Sequence, residues 1–337
     1  MKKTIKINFR DFWPDFDPKK NFFIDLLKNH YNIKISDKPD YVFFSVFGES
    51  FYGQSKKSSA LKNISPRVFS TLKNSKLWGK LKNSEYWKKR LARQIIPPKG
   101  DFIKIFYTSE NVKPDMNKCD WAFSFCYDEE FKHPRHLRLP YYFYLGYSEN
   151  LIKKNISMKK ILREKTKFCN FIYSNDLNSR NEFFKILNKY KRVDSPGRCM
   201  NNMPPIGDHK DSSESRSSLN WPKEKIRFLK NYKFTIAFES FTSPGYTTEK
   251  LVQPMVVNSI PIYYGNPLVN RDFNKKSFLD LNDFKNTKEL IERIIEIDGD
   301  EKEYAKILKE PWLKGNKINK DMDEKKILKR FKEIFGE

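Results

Sequence analysis

The stretch Tyr232–Pro267, YKFTIAFESFTSPGYTTEKLVQPMVVNSIPIYYGNP, decides the fold. Lys233 to Phe238 is a short apolar-rich run of the length of one buried strand, and Ile260 to Tyr264 is a second. Between them a Ser/Thr/Pro/Gly turn leads into a helical pattern from Thr248 to Asn258. Thr247 or Thr248 can cap that helix, and Glu249 stands in its first turn. Strand, turn, helix and strand in this order form the unit from which parallel α/β sheets are built.

The same alternation extends upstream. KTIKINF (Lys3–Phe9), YVFFSVF (Tyr41–Phe47), FIKIFY (Phe102–Tyr107) and WAFSF (Trp121–Phe125) read as strands, with an amphipathic helix over Phe22–Tyr31. A second series begins at FCNFIYS (Phe168–Ser174) and continues with helix Arg180–Tyr190. Downstream, Thr287–Leu308 reads as helical again. Residues 203–220 are polar and Pro/Ser-rich, which predicts a flexible loop. Two strand–helix series imply two Rossmann-like halves: 1–155 with a basic helical insertion at 55–100, and 156–310, followed by a tail at 311–337. Ligands of such sheets bind outside the carboxyl ends of the strands, which points to a cleft between the halves.

The chain has 337 residues, 38% hydrophobic and 15% aromatic, so it can build substantial cores. Its formal charge of +24 fits an anionic partner: nucleic acid, an acidic membrane surface or a polyphosphate substrate. Residues 55–100 hold thirteen Lys or Arg against one acid, Glu85, with aromatics interleaved. A solvated helical insertion is the first reading and an anionic lipid or acceptor surface the second. Nucleic acid comes last, because no nucleic-acid motif accompanies the charge. Cys119, Cys126, Cys169 and Cys199 form no CxxC pair and read as reduced thiols. Lys6, Asn8, Arg10 and Asp11 interrupt the apolar run that a signal peptide needs, and no apolar stretch is long enough to span a bilayer.

Helix starts attract phosphate oxygens through their free N–H groups, and Lys250 adds a full positive charge there. FESFTSPGYTTEK (Phe238–Lys250) resembles the donor-binding signature of the α-1,3/4-fucosyltransferases (glycosyltransferase family 10, bacterial type), which read Phe-Glu-Asn, a short turn, then Tyr-x-Thr-Glu-Lys. SIPIYYGNP (Ser259–Pro267) is similar to the family's following stretch. IFYTSENVKPD (Ile105–Asp115), RHLRLPYYF (Arg135–Phe143) and VDSPGRCMNN (Val193–Asn202) resemble three further family segments, in the right order. Ser240 stands where the family has Asn, and Tyr264 where bacterial members often have Trp.

The resemblance implies a GT-B fold, two Rossmann-like domains facing each other across a cleft. It implies inverting transfer of fucose from GDP-fucose to a GlcNAc-type residue of a surface glycan, of LacNAc/Lewis or O-antigen (lipopolysaccharide) type. Carried over residue by residue, Glu110 is the candidate general base. Arg198 and Lys250 would hold the diphosphate, and Glu249 and Tyr246 would contact the donor's sugar and ribose. Glu239 and Ser240 complete the donor set, Glu239 reading equally well as structural. No cofactor is expected to be tightly bound, and Mn2+ would be at most stimulatory. Asp15–Asp17 and Asp298–Asp300 lack a metal-site context, and the four His form no triad. The absence of a membrane anchor points to a bacterial or viral source.

The tail KKILKRFKEIFGE (Lys325–Glu337) is a basic amphipathic helix. Packing on the N-terminal half is its first reading. Peripheral attachment to the inner face of the cytoplasmic membrane is its second, which would suit a lipid-linked oligosaccharide acceptor. The alternatives are a transferase using another GDP-sugar or acceptor, and a non-catalytic basic surface-binding protein.

Overall fold

The computed structural model describes residues 2–13, 15–48, 95–155, 157–207, 209–217, 220–319 and 322–337. Most of the basic segment 55–100 therefore lies outside the described residues. The chain divides into two compact units, Met1–Leu139 with Glu324–Glu337, and Pro140–Asp323.

The first unit is a parallel sheet of β1 (Thr4–Arg10), β2 (Asn32–Ile35), β3 (Tyr41–Phe44), β4 (Ile103–Tyr107), β5 (Trp121–Ser124) and β6 (His136–Arg138), in the order β2-β1-β3-β4-β5-β6. The central strands are apolar because a parallel sheet is covered on both faces: Val42, Phe43, Phe44, Ile105 and Phe106 are all fully buried. Helix α1 (Phe22–Leu27) starts where Asn21 accepts the N–H groups of Phe23 and Ile24. A short α2 (Asp128–Phe131) precedes β6.

The second unit holds α3 (Tyr141–Tyr144), α4 (Met158–Glu164), β7 (Lys167–Asn170), α5 (Asn178–Tyr190), β8 (Val193–Asp194), α6 (Ser212–Ser217), α7 (Trp221–Leu229), β9 (Tyr232–Phe238), α8 (Glu249–Val256), β10 (Ile260–Tyr264), β11 (Leu279–Asp280), α9 (Thr287–Gly299) and α10 (Glu301–Lys309). Its five strands are also parallel, in the order β11-β10-β9-β7-β8.

The final helix, α11 (Glu324–Phe335), belongs to the first unit. Phe331 stacks on Phe123 at 5.0 Å, and Phe335 meets Tyr31 and Tyr41 at 5.2 and 4.7 Å. Its apolar face is spent on its own protein, as amphipathic helices usually are.

Three readings are corrected and one is sharpened. The units break at Leu139 and Asp323, not near 155 and 310, because residues 140–153 bond into the second unit. Gln253 donates to the Tyr147 hydroxyl, and Lys153 donates to the carbonyl of Glu310. The stretch read as helical, Thr287–Leu308, is helical and is built as two helices. Asp300 ends the first and caps the second, accepting the N–H groups of Lys302 and Glu303. The loop 203–220 contains α6, whose start is capped by Asp211 through Ser213 and Glu214. The strand read as Phe168–Ser174 leaves the sheet after Asn170. Among the described residues no helix is long and apolar enough to cross a membrane, and the four cysteines are free and buried.

Candidate active site

Glu239 is the first residue beyond β9. Its N–H donates to the carbonyl of Tyr264, at the end of β10, at 2.7 Å. The carboxylate is thereby fixed at the carboxyl edge of the sheet, with its side chain wholly shielded from solvent. Oε1 accepts from the Thr248 N–H at 2.9 Å and from the Thr248 hydroxyl at 2.7 Å. Oε2 accepts from Lys250 Nζ at 2.9 Å. Thr248 is also the N-cap of α8, its hydroxyl accepting the Lys250 N–H. One threonine thus starts the helix and orients the ion pair. Gly265 lets the chain pass: a Cβ there would come within 2.7 Å of the Glu239 side chain and 2.5 Å of the Tyr263 hydroxyl.

Strand order locates the ligand edge. From β7 the chain moves outward to β8, then returns across β7 to β9 on the other side. That reversal opens a crevice at the carboxyl ends of β7 and β9, where doubly wound sheets bind ligands. Tyr173 closes the β7 side. Its hydroxyl accepts the Phe238 N–H at 2.7 Å and lies 2.9 Å from the carbonyl of Ile236, stitching the two strand ends together. The guanidinium of Arg180, in the first turn of α5, lies 3.7 Å over the Tyr173 ring. Arg180 is 2% exposed. Its Nη2 donates to the carbonyl of Asn175 at 2.6 Å, while Nε and Nη1 have no hydrogen-bond partner. Two unmatched donors on a buried cation are costly and rare in a finished core.

The charges are arranged for an anion. Burial alone would lower the Lys250 ammonium, but Glu239, Glu249 and Tyr246 outweigh it and hold it well above the ordinary Lys value. Burial would raise the Glu249 carboxyl, yet Lys250 and Lys225 keep it below the usual range, so both groups stay ionised. Lys225 and Lys250 line one recess with Tyr173, Thr235 and Pro254.

The sequence reading brought Glu239, Tyr246, Glu249 and Lys250 to one place, and the structure gathers them around the start of α8. Tyr246 is buried, and Ser240 is half-buried beside Glu239. Arg198 is exposed. Its loop does approach the site: Gly197 packs so tightly on Tyr173 that a Cβ would fall 2.3 Å from the Tyr173 carbonyl, and the Cys199 N–H donates to that carbonyl at 3.0 Å. The Arg198 charge, however, acts on Asp211. Arg180, stacked over the Tyr173 ring, is the buried cation at this strand edge, and sequence reasoning passed over it. A signal was there: a cation near a helix start opposes the dipole unless an anion compensates, the argument that singled out Lys250.

Glu110 lies in the first unit, just past β4. Its N–H donates to the Thr108 hydroxyl at 3.2 Å and its carbonyl accepts from Val112 at 2.7 Å, so the backbone there is a fixed turn. His136 stands between a serine and a carboxylate. Ser124 Oγ lies 2.8 Å from His136 Nε2, and His136 Nδ1 lies 3.0 Å from Asp128 Oδ1. Ser124 is completely buried and already accepts the Cys126 N–H at 3.1 Å, so this chain ties β5, α2 and β6 together and offers no nucleophile to a substrate. Among the described residues no cluster of three His, Cys, Asp or Glu is poised for a metal.

Two parallel α/β sheets, the second with a cationic edge at its switch point, define the GT-B fold class. A family model described as glycosyltransferase family 10 (fucosyltransferase) C-term matches residues 162–333, and one for the alpha-(1,3)-fucosyltransferase FucT N-terminal domain matches residues 7–58 and 98–145. The chain belongs to glycosyltransferase family 10, the fucosyltransferase family.

It is 31% identical over 270 residues to a protein of Acanthamoeba polyphaga mimivirus named as a fucosyltransferase, covering 80% of this chain and 43% of that protein. It is 30% identical over 271 residues to alpha-(1,3)-fucosyltransferase FucT of Helicobacter pylori, covering 69% and 52%. The chain thus spans about half the length of these curated relatives. In fold it is similar to a crystal structure of an alpha1,3-fucosyltransferase with GDP-fucose, with a TM-score of 0.67, 24% identity, and coverage of 99% of this chain and 91% of that one.

Proposed function

We propose that the chain transfers fucose from GDP-fucose to a hydroxyl of a GlcNAc-type residue in a surface glycan, in α-1,3 linkage and with inversion. The observation that carries this is Arg180. A buried guanidinium with two unmatched donor nitrogens over Tyr173, and an ammonium held charged at the start of α8, support an anionic diphosphate as the group this edge receives. Membership in the family supports GDP-fucose as the source of that diphosphate.

In the reaction the acceptor oxygen attacks the anomeric carbon, the bond from that carbon to the phosphate oxygen breaks, and GDP leaves with the electron pair. Lys250 and Arg180 stabilise the charge that develops on the diphosphate. Glu110 takes the acceptor's proton. Glu249 and Tyr246 contact the sugar portions of the donor, and Glu239 sets the position of Lys250. A lipid-linked or O-antigen type of acceptor, met at the inner face of the cytoplasmic membrane, is part of the proposal, supported by the formal charge of +24.

The test is release of GDP from GDP-fucose with N-acetyllactosamine as acceptor, in wild type, Glu110→Gln and Arg180→Met. Glu110→Gln should lose transfer by about a hundredfold or more while still binding GDP. Arg180→Met should lose GDP affinity. A wild type that neither binds GDP nor turns over GDP-fucose would sink the reading. Hydrolysis of GDP-fucose without transfer would keep the donor and reject the acceptor.

A further inference from the structure

Gln253 lies one turn beyond Glu249 on α8, so the two share a face of the helix. It is 5% exposed. Its Nε2 donates to the Tyr147 hydroxyl at 3.0 Å, and its Oε1 is buried with no partner. A buried, unpaired amide oxygen is destabilising, and Leu or Met would fill the same space without it. What the amide achieves is the bond to Tyr147.

That bond has a direction. The phenol oxygen is the acceptor, so its own proton is turned away from Gln253 toward some other acceptor. Tyr147 is only half-buried and the Glu249 side chain is 24% exposed, so neither is sealed in the core. Glu249 acts on Tyr147 electrostatically: burial first, and then the Glu249 charge, raise the phenol above its ordinary value. An O–H donor held by Gln253 and an ionised carboxylate one turn before it thus lie along one face of α8. A phosphate is repelled by that carboxylate. A sugar hydroxyl fits both groups, giving its proton to Glu249 and accepting one from Tyr147.

We propose that Tyr147 binds a hydroxyl of the donor's sugar portion jointly with Glu249, and that Gln253 is the positioning residue that aims the phenol. The proposal rests on the sugar-nucleotide reading above. Two hydroxyl sources share this chemistry, the nucleoside pentose and the transferred sugar.

The experiment is calorimetric titration of GDP, 2′,3′-dideoxy-GDP and GDP-fucose into wild type, Tyr147→Phe and Gln253→Met. If the pentose is the source, wild type prefers GDP over the dideoxy compound, and both variants narrow that preference by about threefold to tenfold, the share of one neutral hydrogen bond, while Glu249 keeps the rest. If the transferred sugar is the source, the variants keep it and narrow the preference for GDP-fucose over GDP by the same factor. Either result supports the pair as a hydroxyl site and names its ligand. Variants that retain both preferences overturn the proposal. So do variants that weaken all three ligands equally while melting earlier, since that is what a purely structural bond between α8 and residues 140–153 would do. A wild type that binds none of the three rejects the donor reading itself, a result distinct from failure of the pair.

Discussion

The first sheet ends β1 in rings. Phe9, Phe12, Trp13 and Phe16 pack on one another with centroids 4.2 to 5.6 Å apart. The second sheet ends β7 and β9 in charge: Tyr173 under Arg180, and Glu239 holding Lys250. The two sheets share the strand order that puts a switch point beside the first strand of each, between β1 and β3 and between β7 and β9. One topology therefore offers two edges of opposite chemistry. Fold alone does not say what binds; the residues placed at the edge do. An ionic edge selects a phosphate, and an aromatic edge does not.

Two lysines repeat the contrast inside the second unit. Lys250 has carboxylates beside it and is held above its ordinary value. Lys165, just after α4, donates to the carbonyls of Lys230 and Val257, and burial pulls it down to about 7 against the weaker pull of Glu164. Burial acts the same way on both, and the partner decides the outcome.

The largest effect belongs to the first unit. Phe331→Ala should destabilise by about 3–5 kcal/mol, as removal of a fully buried ring does. Urea denaturation measures it, and Phe331→Leu gives a milder version. GDP affinity of the folded fraction should not change, because the charged edge around Lys250 lies in the other unit. A loss below about 1 kcal/mol would mean that α11 is not part of this core.

Next comes the ion pair. Glu239→Gln leaves Lys250 without its main counter-charge. Breaking a fully buried pair costs about 3–5 kcal/mol; with Lys250 22% exposed, about 2–3 is expected. The sign with pH follows from the raised Lys250 value. The wild-type advantage is complete below the ordinary Lys value of 10.5 and is lost as pH rises through the higher folded value. An advantage already gone at pH 9 would contradict the pairing.

Lys165 should behave oppositely. Between pH 7 and 9 the unfolded chain carries a proton that the folded chain sheds, so wild-type stability relative to Lys165→Met should rise by about 2 kcal/mol over that interval. Below pH 7 the difference should flatten. A constant difference from pH 6 to 9 would show that Lys165 keeps its proton on folding.

What the sequence disclosed follows the distance over which each feature is specified. Glu239, Thr248 and Lys250 lie within one strand end and one helix cap, so the local pattern displayed them together. Arg180 reaches the same crevice only because β7 pairs with β9, Cys169 beside Phe234, a neighbourhood that no local pattern encodes. Tyr147 and Gln253 meet across 106 residues for the same reason. The break at Asp300 was local and still escaped, because the apolar period runs on from α9 into α10 while only Gly299 and the capping carboxylate mark the stop. The α11 pattern was legible as amphipathic, and its place in the first unit followed from where apolar surface could be buried.

The smallest effect tests the aromatic edge most directly. Phe12 is half-buried and touches Phe9, Trp13 and Phe16, so Phe12→Leu removes ring contact without opening a sealed cavity. Stability should fall by about 1 kcal/mol, the scale of an aromatic pair beyond its area. GDP affinity should stay within about twofold, since nothing ionic is touched and the Arg180 and Lys250 cations are in the other unit. If Phe12→Leu instead weakens GDP by tenfold while Glu239→Gln does not, the assignment of the anion to the second sheet is wrong, and the nucleotide sits over the rings, held by base stacking more than by diphosphate charge. If neither ligand affinity nor stability moves, the rings are surface aromatics and the contrast between the two edges reduces to the charged one alone.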